Sequence, residues 1–125
     1  MLIGSGIDVD SKLFKIYSKS MRKAHQKEIK KVVNQIVKNY KPEKIILFGS
    51  FVYGKPKASS DIDLLILKKT KQRKVERIKK VLMETESHFP LEPLVYTPEE
   101  LKKRLRLGDF FFENIIKKGK IMYEK

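Results

Sequence analysis

The chain has 125 residues, 41% hydrophobic and 35% charged, a size and balance that suit one compact domain with a modest core. Its 29 Lys and Arg against 15 Asp and Glu leave a net charge of +14, which favours a polyanionic partner: nucleic acid, a nucleotide or an acidic protein. A Lys- and Glu-rich surface without Cys also suits heat adaptation, in which case the charge serves solubility alone. The absence of Cys excludes disulfides and thiolate chemistry, and His25 and His88 are too few for an imidazole-rich zinc site, so a metal has to sit on carboxylates.

The longest apolar stretches, residues 45–48 and 64–67, fall far short of a membrane span. The amino terminus carries Asp8 and Asp10 instead of a basic start, so the expectation is a cytoplasmic protein without a membrane partner. In chain order, residues 1–10 read as a loose lead-in and residues 11–40 as helix. Phe14, Tyr17, Met21 and Ala24 form a narrow seam, which suits either a separate helix or a docking arm. Ile29, Val32, Val33, Ile36, Val37 and Tyr40 then build a full apolar stripe opposite Lys30, Lys31, Asn34 and Lys38. Residues 1–40 are thus expected as lead-in and helix, and residues 41–125 as the core of the same structural domain.

Lys41-Pro42 stops the helix, and residues 44–48 read as a buried strand before a turn and short helix at residues 49–54. After a loop at 55–60, residues 61–67 make a second strand. Residues 71–88, with Val75, Ile78, Val81, Leu82 and Phe89 as apolar positions in and after them, read as a helix ended by Pro90. Residues 91–96 form a third strand, confined to a sheet edge by Pro93. Thr97, Pro98 and Glu100 announce a helix start with a capping box, and Asp109 caps another helix holding Phe110, Phe111 and Phe112, not all of which can face one core. Lys117-Lys118-Gly119 ends it, with Gly119 expected in a left-handed exit, and residues 120–123 form a last strand. The sum is an α+β fold: a small mixed sheet flanked by helices.

The segment that carries chemistry is residues 44–67. Asp61 and Asp63 are two apart on a strand, so they share one face while Ile62 turns into the core. Two such acids suit a hard cation such as Mg²⁺, which takes oxygen ligands and leaves positions for phosphate oxygens. Gly49-Ser50, at the end of a buried strand, supplies the complementary half: backbone N–H groups, a hydroxyl and space for a phosphate to approach. Alone, Gly-Ser is an ordinary strand-to-helix turn and Asp-x-Asp a solvated strand start; their order and spacing make the signal. Gly4-Ser5-Gly6 with Asp8 and Asp10 imitates it without a preceding strand. His25 and His88 read as surface or helix-end residues. The basic runs 68–74 and 102–106 can attract phosphate, nucleic acid or an acidic protein face, or simply solvate their segments.

Gly49-Ser50, the ten-residue gap and Asp61-Ile62-Asp63, within "ILFGSFVYGKPKASSDIDLLIL", resemble the minimal nucleotidyltransferases of the DNA polymerase beta superfamily, in particular the MNT antitoxins paired with HEPN toxins. The likeness runs on through "PLVYTPEEL" and "GKIMYE", covering about residues 29–125. It implies a polymerase-beta-like fold here preceded by an N-terminal helical extension, metal-ligating acids at Asp61 and Asp63, and a third acid on a neighbouring strand, the place where Glu92 stands. It further implies that the third acid holds metal or takes the proton of the attacking hydroxyl, with Mg²⁺ as cofactor, a nucleoside triphosphate, usually ATP, as substrate and pyrophosphate as leaving group. Gly49 and Ser50 are then the nucleotide-binding residues. The third acid is usually Asp, and Tyr53 stands where the family often carries Arg. Three functions follow as expectations: AMP transfer to a hydroxyl of a HEPN-type toxin, neutralisation of such a toxin by binding alone, or RNA-end nucleotidyl transfer with nucleic acid as partner. A homo-oligomer is compatible with each.

Overall fold

Four strands and five helices build the chain over the residues described by the computed structural model, 22–125 except 55 and 58. The expected lead-in, the Phe14, Tyr17 and Met21 seam, and the imitation motif at residues 4–10 lie outside the described residues. Helix α1 (Arg22–Tyr40) places Ile29, Val32, Val33, Ile36 and Tyr40 in the core, as the 3.6-residue period predicts. It ends where Lys41 adopts φ 53° with its N–H on Ile36 O (3.2 Å), and Pro42 follows.

Strand β1 (Lys44–Phe48) leads through helix α2 (Ser50–Tyr53) to β2 (Ile62–Leu67), helix α3 (Lys74–Met83) and β3 (Leu91–Tyr96); helices α4 (Pro98–Arg106) and α5 (Phe110–Lys118) and strand β4 (Lys120–Glu124) complete the order. The sheet order is β3-β2-β1-β4. β1 pairs antiparallel with both β2 and β4, and β2 pairs parallel with β3. The architecture is therefore the expected α+β mixed sheet, with Pro93 on an edge strand, where its missing N–H costs no ladder bond between two neighbours.

Alternation along the strands divides the core into two faces. Ile45, Leu47, Ile62, Leu64, Ile66 and Val95 pack with α1 and Val81 of α3. Ile46, Phe48, Leu65 and Leu67 pack on the other face with Leu101 of α4 and Phe112 and Ile115 of α5. Each fully buried aliphatic side chain of this kind contributes about 1.5–3 kcal/mol through area removed from water. Thr97 makes both halves of its capping box and Asp109 accepts from Phe111 N–H, as expected. No described helix is long and apolar enough to cross a membrane.

Three expectations are corrected. His25 is not at the surface: it is 1% exposed and sits against the rings of Phe51 (4.7 Å) and Phe89 (4.0 Å), residues far from it in sequence. Helix α3 is shorter than residues 71–88, and Val75 and Leu82 are exposed. Its end is drawn off by α1, whose Asn39, Gln35 and Glu28 side chains bond Glu84 O, Glu86 N–H and His88 N–H, while Thr85 Oγ1 donates back to Val81 O. Gly119 is not left-handed (φ −68°); it is needed for space, because a Cβ there would run into Ile115 O and the Ile46 side chain.

Candidate active site

The site forms at the end of the sheet where β1 finishes and β2 begins. In the antiparallel register Phe48 stands opposite Asp63, and in the parallel register Asp63 stands beside Glu92. Partners across a ladder share a face, so Phe48, Asp63 and Glu92 project to the α4/α5 side, with Asp61 two residues before Asp63 on the same side. Asp61 and Asp63 are half-buried and Glu92 is exposed. Five sequence-predicted residues, Gly49, Ser50, Asp61, Asp63 and Glu92, thus gather around one strand end.

Gly49 is the tightest element. It has φ 83°, a left-handed conformation that favours glycine, and a Cβ at this position would overlap the Asp63 carboxylate. Val52 N–H and Tyr53 N–H both turn back to Gly49 O at 3.0 Å, so the amides of Ser50 and Phe51 lead the first turn of α2. Backbone and carboxylate therefore meet without a side chain between them.

The electrostatics are lopsided. Burial raises the Asp63 carboxyl to about 6, and the neighbouring charges of Asp61 and Glu92 push in the same direction. Three carboxylates repelling one another at a strand end call for a cation, and their hard oxygen donors fit Mg²⁺. Among the described residues no three such groups close on one point. Asp61 and Asp63 would hold a divalent ion from one strand, with Glu92 as the outlying acid and phosphate oxygens supplying further ligands. Such an ion would neutralise charge on a transferring phosphoryl group.

Tyr53, which in the sequence stands out only as a departure from the family's Arg, lies beside Gly49 and Asp63. Its hydroxyl is pushed above the usual tyrosine range by burial and by the charge of Asp63, opposed by the Gly49 backbone amide, which places a phenol beside the loop. Phe48 was missed altogether, since only the register reveals that it borders Asp63. The basic run 68–74 stands apart from the site: it follows β2, six residues and so about 20 Å from the carboxylates. Part of it is engaged structurally, Lys68 Nζ on Lys41 O (3.0 Å), Lys74 over the Tyr96 ring (4.4 Å) and Arg73 on Glu76 (3.0 Å).

No curated protein matches the chain. A family model described as polymerase beta, nucleotidyltransferase matches residues 27–125, a span that takes in the Gly-Ser turn, all three acids and the four-stranded sheet. The chain belongs to the polymerase beta nucleotidyltransferase family.

Proposed function

We propose that the protein is a Mg²⁺-dependent nucleotidyltransferase that moves a nucleoside monophosphate, AMP from ATP, onto a hydroxyl of a partner protein. The observation that carries this reading is the Asp63 carboxylate, pressed against the backbone of Gly49 and flanked by Asp61 and Glu92. In the reaction the acceptor oxygen bonds to the α-phosphorus as the bond from that phosphorus to the bridging oxygen breaks, releasing pyrophosphate. Gly49 and Ser50 bind the triphosphate, Asp61 and Asp63 would hold a Mg²⁺ ion that neutralises charge on its phosphate oxygens, and Glu92 receives the hydroxyl proton or would complete the ligand set. By resemblance, the acceptor is a tyrosine of a HEPN-type toxin and the protein its antitoxin.

The test is incubation with α-labelled ATP, Mg²⁺ and the protein encoded next to this one. Label should appear on the partner and disappear when Asp61→Asn and Asp63→Asn are combined. Intact complex formation with no label under any condition would instead support neutralisation by binding alone.

A further inference from the structure

Helix α5 exposes two aromatic rings that its packing does not require: Phe110 is 83% and Phe111 51% exposed, while Phe112 next to them is buried. Phe110 and Phe111 are adjacent and form an apolar patch of the kind that serves as a binding surface. Phe111 is not loose. It stands edge-on to Phe48 at 5.8 Å (89°) and to Phe112 at 5.2 Å (87°), two perpendicular rings that fix its orientation. Phe48 is the register partner of Asp63, one strand spacing of about 5 Å away. The Phe111 ring is thus about two strand spacings, roughly 10 Å, from Asp63, with Glu92 one strand spacing farther. A shallow hollow of about 410 Å³ runs along the outer face of α5, with Phe111 at its edge.

We propose that Phe111 is the stacking wall for the nucleobase of the nucleoside triphosphate whose phosphates occupy the Gly49-Ser50 turn. This rests on the nucleotidyltransferase reading and adds the place of the base. Stacking on an aromatic face is tolerant of base identity, so Phe111 holds purine nucleotides alike. Phe111 acts as a positioning residue: it holds the base, and through it the α-phosphorus, without touching the reacting atoms.

The experiment is calorimetric titration of the full chain with ATP, GTP and base-free tripolyphosphate, each with Mg²⁺. Phe111→Leu keeps an apolar side chain against Phe48 but removes the ring face, and Phe111→Trp keeps a face. The expected result is on the order of tenfold or greater weakening of both ATP and GTP in Phe111→Leu, tripolyphosphate within about twofold, and recovery of nucleotide affinity in Phe111→Trp. Unchanged ATP and GTP affinity in Phe111→Leu overturns the proposal, as does equal weakening of tripolyphosphate. Wild-type protein that binds tripolyphosphate as tightly as ATP also overturns it while leaving the phosphate site standing. Wild-type protein that binds neither brings down the phosphate site and the proposal together.

Discussion

Replacing Asp63 by Asn exchanges a crowded carboxylate for a neutral group of nearly the same shape. Burial and the charges of Asp61 and Glu92 raise the Asp63 carboxyl from 3.8 to about 6. Because its folded value lies above its unfolded one, the stability tied to this group is fully present below about pH 4 and is lost as the pH climbs through about 6. At about 1.4 kcal/mol per unit the ionised group costs at most about 3 kcal/mol at neutral pH, and its partial exposure to solvent reduces this to about 1–2 kcal/mol. Asp63→Asn should therefore stabilise the metal-free protein at pH 7.5 by that amount, about 3–8 °C in Tm, with the advantage vanishing near pH 4. Urea melts of both proteins across pH 4–7.5 measure it directly. Adding Mg²⁺ and ATP should reverse the order, since only the unaltered site gains stability by binding. A variant less stable than wild type at pH 7.5 without metal, or a gain that is the same at pH 4, would refute the electrostatic account of the site.

Three further outcomes follow from other contacts. Gly49→Ala puts a methyl group onto the Asp63 carboxylate at φ 83°; it should cost about 1–3 kcal/mol in a urea melt and abolish triphosphate binding in the same titration, even where the variant remains folded. Arg77, 5% exposed, pairs with both Glu100 oxygens (2.7 and 3.2 Å) and also bonds Val95 O and Gln72 O, so Arg77→Ala should cost about 3–5 kcal/mol. The Arg77 hydrogen bonds hold the Glu100 carboxyl at about 2; its contribution is full above about pH 4.5 and fades as the pH falls toward 2. Glu100→Gln should accordingly be less stable than wild type at pH 7 and nearly equal to it near pH 2 by circular dichroism melts.

What could be read from the chain were the features set by local rules. The Ile29 to Tyr40 stripe, the edge position forced by Pro93, the capping box at Thr97 and the shared face of Asp61 and Asp63 all depend on residues within a few positions of one another. What resisted reading depends on distant partners. His25 is buried because Phe51 and Phe89 close over it, and Arg77, one basic residue among many on α3, is buried because Glu100 arrives from another helix. That Glu92 stands beside Asp63 follows from a parallel pairing made only after the chain has crossed over through α3. Phe111 reads as one exposed ring among three until the register of Phe48 places it near the acids.

The capture of residues 84–88 by α1 has a mechanical consequence. Those residues are the tether that delivers β3 to the sheet, and their three fastenings, from Asn39, Gln35 and Glu28, come from the face opposite the carboxylates. The tether runs from those fastenings straight into the start of β3, where Ile62 N–H bonds Pro90 O at 2.7 Å, the last peg before Glu92. Helix α1 and the third acid are therefore joined by one short stretch of chain, fastened at its near end by α1 side chains and at its far end by β2.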